Sequence, residues 1–155
     1  MLYALYHPDG RIHQVNKAYD PEADAARGKK SYDELLLEHE QTFVKKQSPG
    51  LLQPDHWFVD VNAKEIVERP TMLIKVSKTV IKAGASDCAL FTGIPKGVTF
   101  AIYGPYDALI WPEPGQSNLF PATELDLSIP MPCVYRVEFE LWPFRKFTVE
   151  IEAIA

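Results

Sequence analysis

A chain of 155 residues, 46% apolar and 24% charged, has the composition of one compact domain or two small ones, and that composition argues against disorder. A net charge of −5, with basic residues only in the short groups Arg27–Lys29–Lys30, Lys45–Lys46 and Arg145–Lys146, argues against nucleic acid as a partner, since phosphate neutralisation supplies most of that affinity. No stretch approaches the ~20 apolar residues of a membrane helix, and MLYALYHPDG is too short and polar for a signal peptide, so the expectation is a protein made and kept in a cytosol.

In LYALYHPDGRIHQVNKAY, apolar residues alternate on both sides of Pro8-Asp9-Gly10, which predicts a hairpin closed by turn chemistry. DPEADAARGKK reads as a polar connector. In SYDELLLEHEQTF, Ser31 and Glu34 have capping-box spacing and Asp33 falls in the first turn, so a helix of about three turns is predicted. Leu35, Leu36 and Phe43 would form its apolar stripe. FVKKQ follows as a short strand, stopped by Ser48-Pro49-Gly50. In HWFVDV, Trp57, Val59 and Val61 share one face as candidate core; NAKE turns the chain, and IVER returns it to Pro70.

Beyond Pro70 the texture changes: nine of the thirteen prolines lie from there onward. Short strands recur about every ten residues, in MLIKVSKTVIKAG, CALFTGI, VTFAIYG, ALIW, ELDLSI, VYRVEFELW and FTVEIEAI. Tyr135, Val137 and Phe139 alternate with Arg136, Glu138 and Glu140, and Phe147, Val149 and Ile151 alternate with Thr148, Glu150 and Glu152. That is the pattern of an antiparallel sheet with one wet face. The predicted fold is therefore mostly β: a small α+β N-terminal module of two hairpins and one helix over residues 1–70, followed by an immunoglobulin-like β-sandwich over residues 71–155.

Chemistry is sparse. No nucleophile elbow, phosphate loop, dinucleotide fingerprint or zinc-protease helix occurs. Carboxylates spaced by two on an exposed strand lack the burial that raises a general acid's pKa, so no catalytic residue is assigned and no cofactor is expected. His7 and His13 flank the first turn and would face each other across a hairpin, but two imidazoles fall short of the usual zinc set, and Asp9, the candidate third ligand, is a turn residue; the reading is no metal. Cys88 and Cys133 lie 45 residues apart in two predicted strands, with Tyr135 after rather than before the second cysteine, and are read as reduced, mostly buried thiols. The segment from Gly104 to Glu124 carries four prolines together with Tyr106, Trp111 and Phe120. A stiffened loop presenting aromatics is a contact surface; the alternative is an edge strand and loop whose aromatics fold back on the sandwich.

LYALYHPDGRIHQVNKAY, PDHWFVDVNAKEIVERPTM, GIPKGVTFAI and IPMPCVYRVEFELWPFRKFTVEIEA together resemble small tail-associated proteins of tailed bacteriophages and prophages. The similar features are the opening hairpin, the His-aromatic-Val strand running to Arg-Pro and Met, and an immunoglobulin-like ending with a Tyr-Arg-Val strand before a Trp-Pro-Phe corner. That family often has Gly where Met131-Pro132-Cys133 stands here. The resemblance implies a virion protein assembled in the bacterial host cytoplasm: a tail or tail-fibre-attachment subunit that acts through protein–protein surfaces, not an enzyme. Its partners would be other tail proteins and copies of itself, without nucleic acid or membrane insertion. It transfers no binding residue. A receptor- or glycan-binding module using the aromatic loop around Trp111 is the second reading.

Overall fold

The computed structural model describes residues 1–17, 21–47, 52–84 and 86–155, with the backbone alone at 21–23. The chain is mostly β and divides into two compact units, Met1–Arg69 and Pro70–Ala155. Among the described residues no helix is long and apolar enough to cross a membrane.

In the first unit, β1 (Leu2–Tyr6) is the centre of a three-stranded antiparallel sheet, between β2 (Ile12–Lys17) and β3 (Phe43–Lys46). Leu2 to Leu5 are therefore all buried, on both faces of the strand. One face packs Ala4 and Ile12 against Val59 and Ile66. The other packs Tyr3 and Leu5 against Leu36, flanked by Tyr32 and Phe43.

The first hairpin turns through His7–Arg11, with the Gly10 amide donating to the His7 carbonyl at 2.8 Å and the His7 amide to the Arg11 carbonyl at 2.9 Å. Gly10 has φ +90°, and a Cβ there would fall 2.2 Å from the Val59 carbonyl oxygen. Only glycine tolerates both the conformation and the approach. The contact docks the turn on β4 (Trp57–Asp60), which pairs with β5 (Glu65–Glu68). Val61 is exposed, not core as its alternation predicts. The strand stops one residue earlier because the Asp60 carboxylate accepts from the Asn62 and Ala63 amides at 2.9 and 3.0 Å, an Asx turn that swings Val61 outward. Arg69 closes the hairpin, its amide donating to the His56 carbonyl at 2.8 Å.

Two helices form among the described residues where one is predicted. α1 (Pro21–Ala26) occupies the supposed connector. It opens on Pro, whose fixed φ suits the first helical turn, and ends at Gly28 (φ +68°). There the Gly28 amide bonds the Ala25 carbonyl and the Lys29 amide the Asp24 carbonyl, the paired bonds of a Schellman stop. α2 (Tyr32–Glu38) carries the Ser31–Glu34 capping box in both directions, yet makes only two turns. The same stop ends it, with Glu40 at φ 54° and the Gln41 amide bonded to the Leu36 carbonyl at 2.9 Å. Phe43 consequently sits in β3, and Leu35 is exposed. The stop expected at Ser48-Pro49-Gly50 lies outside the described residues, as do Ala18–Asp20.

Among the described residues the second unit forms two sheets. One holds β6 (Lys75–Val76), β8 (Ala89–Thr92) and β11 (Leu125–Leu127), in the order β11-β8-β6. The other holds β7 (Val80–Lys82), β9 (Thr99–Tyr103), β10 (Leu109–Trp111), β12 (Cys133–Glu140) and β13 (Phe147–Ile154), in the order β10-β9-β12-β13-β7, with β7 parallel to β13. Ala89, Phe91 and Leu127 of the first sheet share one buried cluster with Ile81, Ile102, Val137, Phe139 and Ile151 of the second. The rings of Phe91 and Phe139 stand 6.2 Å apart at their centres. The period-two alternation of β12 and β13 thus points its apolar residues between the sheets. At the corner between β8 and β9, Gly93 (φ +73°) would place a Cβ 2.9 Å from the Leu73 carbonyl oxygen, which fixes glycine there.

Candidate functional site

The outer face of the large sheet holds the polar cluster from which a site can be built. Arg136 on β12 is paired with Tyr103 on β9 and Glu150 on β13. Its guanidinium carbon lies 4.5 Å from the centre of the Tyr103 ring, within cation–π range. Its Nε donates to Glu138 at 3.0 Å and its Nη1 to Asp107 at 2.6 Å. Lys146 continues the line, its Nζ 3.0 Å from Glu138 and 3.1 Å from Glu140. Five charges of alternating sign therefore run from Asp107 to Glu140. The hydrogen bond to Asp107 raises the Arg136 pKa, and those to Glu138 and Glu140 raise that of Lys146. Ion pairs at a protein surface stabilise little; their larger effect here is to fix positions.

What they fix is the corner between β9 and β10. It turns at Pro105–Asp107, with Tyr106 at φ 61° and Asp107 at φ 55°. Two consecutive left-handed residues push the Tyr106 side chain out of the surface, where it is fully exposed. The Gly104 amide closes the corner on the Ala108 carbonyl at 2.8 Å. An open depression of about 310 Å³ lies beside it, bordered by Tyr106, Asp107, Cys133, Arg136 and Glu150. The edge strand β10 presents Leu109, and Trp111 is 39% exposed at its end. A register shift lies between these two residues.

The three aromatics assigned to the loop have different environments. Tyr106 and Trp111 are exposed, whereas Phe120 is half-buried. It packs against the buried cluster of the second unit, its ring centre 5.2 Å from that of Phe100 and 5.5 Å from that of Phe139. The Phe120 amide bonds the Val98 carbonyl and the Phe100 amide the Asn118 carbonyl, both at 2.9 Å, which draws this segment down onto β9. Phe120 is thus half-buried, with its ring folded back against the buried cluster, while Tyr106 and Trp111 remain exposed.

The cysteines are both free; Cys133 is half-buried, but Cys88 is exposed rather than buried, because it lies just before β8, where its amide bonds the Asp87 carboxylate at 3.0 Å. Among the described residues no group of three or more His, Cys, Asp or Glu side chains is placed to hold a metal. The Asp107–Arg136–Tyr103 cluster has no local signal in the sequence. Arg136 reads as one outward position among acids, and its partners lie 29 and 33 residues away, so only strand register assembles them. Comparison with protein-family models, curated proteins and solved structures finds no match.

Proposed function

We propose that this chain is a structural subunit of a tailed-phage particle, a tail or tail-fibre-attachment protein that works by contact rather than by catalysis. The observation that carries the reading is an exposed aromatic and aliphatic edge, Tyr106, Leu109 and Trp111, held on a stiff corner of a two-sheet unit. Large aromatics in such positions are the anchors that dominate protein interfaces. The order β11-β8-β6 opposite β10-β9-β12-β13 supports an immunoglobulin-like assignment, since it corresponds to an E-B-A sheet facing a sheet built on C, F and G. The resemblance of the opening hairpin and of the Tyr-Arg-Val strand to small phage tail proteins supports the particle as its location, with other tail proteins and further copies of the chain as neighbours.

A receptor- or glycan-binding role is the second reading, favoured by one specific feature. Tyr106 borders an open depression that also carries Asp107, Arg136 and Glu150, an aromatic beside hydrogen-bonding groups.

Mass spectrometry of purified particles tests the first reading directly: the chain should be present at a fixed stoichiometry. Trp111→Ala should leave the melting temperature within a few degrees of wild type, because a partly exposed side chain contributes little packing, and should lower incorporation into particles. Normal incorporation with lost adsorption to host cells would favour the second reading. Absence of the chain from particles would overturn the first.

A further inference from the structure

We propose that His7 and His13 form a two-imidazole site for a borderline transition-metal dication, with copper(II) bound most tightly. The hairpin is built to bring them together. Register between β1 and β2 slips so that Leu5 pairs with Gln14 and Tyr6 with Ile12, which leaves His13 as the extra residue of a β-bulge. Bulges re-aim side chains and recur next to functional sites. This one sets the two exposed rings with centres 4.7 Å apart and planes 39° apart.

That separation fits chelation. An imidazole nitrogen ~2.0–2.1 Å from a metal puts the ring centre about 3.2 Å from it, so two such rings at about 90–110° have centres about 4.5–5.2 Å apart. Among the described residues neither ring has a hydrogen-bond or ion-pair partner, so their nitrogens are uncommitted. Asp9 on the same turn is engaged: its carboxylate accepts from the Arg11 amide at 3.0 Å and lies 3.2 Å from the Arg11 Nε. Water would complete the coordination. Imidazole pairs suit copper, nickel and zinc, and affinity for a given nitrogen site peaks at copper(II).

The test is titration of the full chain with copper(II) chloride, read by calorimetry and by electron paramagnetic resonance. The expected result is one copper per chain, with an axial signal split by two imidazole nitrogens. His7→Ala and His13→Gln should each weaken binding by about tenfold or more, since even outer-shell losses weaken metal sites by 10- to 100-fold. Both variants should melt like wild type, because both rings are exposed. A His39→Ala/His56→Ala double variant should bind copper as wild type does. No saturable binding would overturn the proposal. So would unchanged affinity in the His7 and His13 variants, or loss of binding when the α-amine is acetylated or in the His39/His56 variant.

Discussion

Replacing Phe139 by Ala tests how the second unit is held together. Phe139 is 0% exposed, and its ring has Phe91, Phe120 and Phe147 at centre distances of 6.2, 5.5 and 6.2 Å. Truncating a buried Phe costs about 3–5 kcal/mol. Three aromatic neighbours, each pair worth ~0.5–1.5 kcal/mol beyond area, put this one at the upper end. That is a large share of the ~5–15 kcal/mol by which a domain is stable, and in a unit of this size it lowers the melting temperature by ~12 °C or more. The comparison is Glu138→Ala, one residue back on the opposite face. The Glu138 side chain is 14% exposed and receives both Arg136 and Lys146, so its loss should cost about 1 kcal/mol. Urea unfolding of the full chain, followed by circular dichroism and by tryptophan fluorescence, separates the two. Equal costs would place the register of β12 one residue off and refute the assignment of its faces.

Gly10→Ala should destabilise the first unit by more than ~1 kcal/mol, because the new Cβ meets the Val59 carbonyl oxygen at 2.2 Å and the backbone is left-handed; a melting curve matching wild type would contradict the docking of the turn on β4. Asp33 titrates below the usual aspartate range: burial pushes it up, but hydrogen bonds from Lys45 at 2.5 Å and from Tyr3 outweigh that. Its folded pKa is the lower one, so its contribution is present above the unfolded value of about 4 and is lost as pH falls through the folded value; Asp33→Asn should flatten the stability–pH curve in that window, and an unchanged slope would refute the linkage. Tyr106→Gly should hold stability within about 1 kcal/mol of wild type while reducing incorporation into particles, and a large loss of stability would show that the ring packs.

Much of the strand pattern was legible because period two survives in short windows. Tyr135, Val137 and Phe139 announce their face without any knowledge of partners, and the Ser31–Glu34 pair announces a helix start three residues apart. What was not legible depends on stops and on long-range pairing. α2 is cut short by Glu40 in a left-handed conformation that Gly, not Glu, usually signals. α1 hid in a polar stretch because propensity is a weak guide over six residues. Val61 left the core when Asp60 captured two amides, a competition that alternation alone does not register. The candidate site was half visible: Tyr106 and Trp111 stood out as aromatics in a proline-rich loop, while Arg136 and Asp107 meet only through the register of β9 and β12.

The β9–β10 corner links these observations to function. A left-handed backbone costs a non-glycine residue about 1–2 kcal/mol, and here two in succession, Tyr106 and Asp107, adopt it. Asp107 has a local compensation: Asp tolerates this region better than most residues, and its carboxylate is bonded to Arg136. Tyr106 has none that the fold supplies, since its ring is fully exposed and buries nothing. Glycine at that position would satisfy the backbone as well or better. A tyrosine that gains no packing in the isolated chain and occupies an unfavourable conformation is explained if its ring packs against a partner. This is why Tyr106→Gly tests the proposed contact: the substitution removes the exposed side chain while leaving the corner free to adopt the same turn.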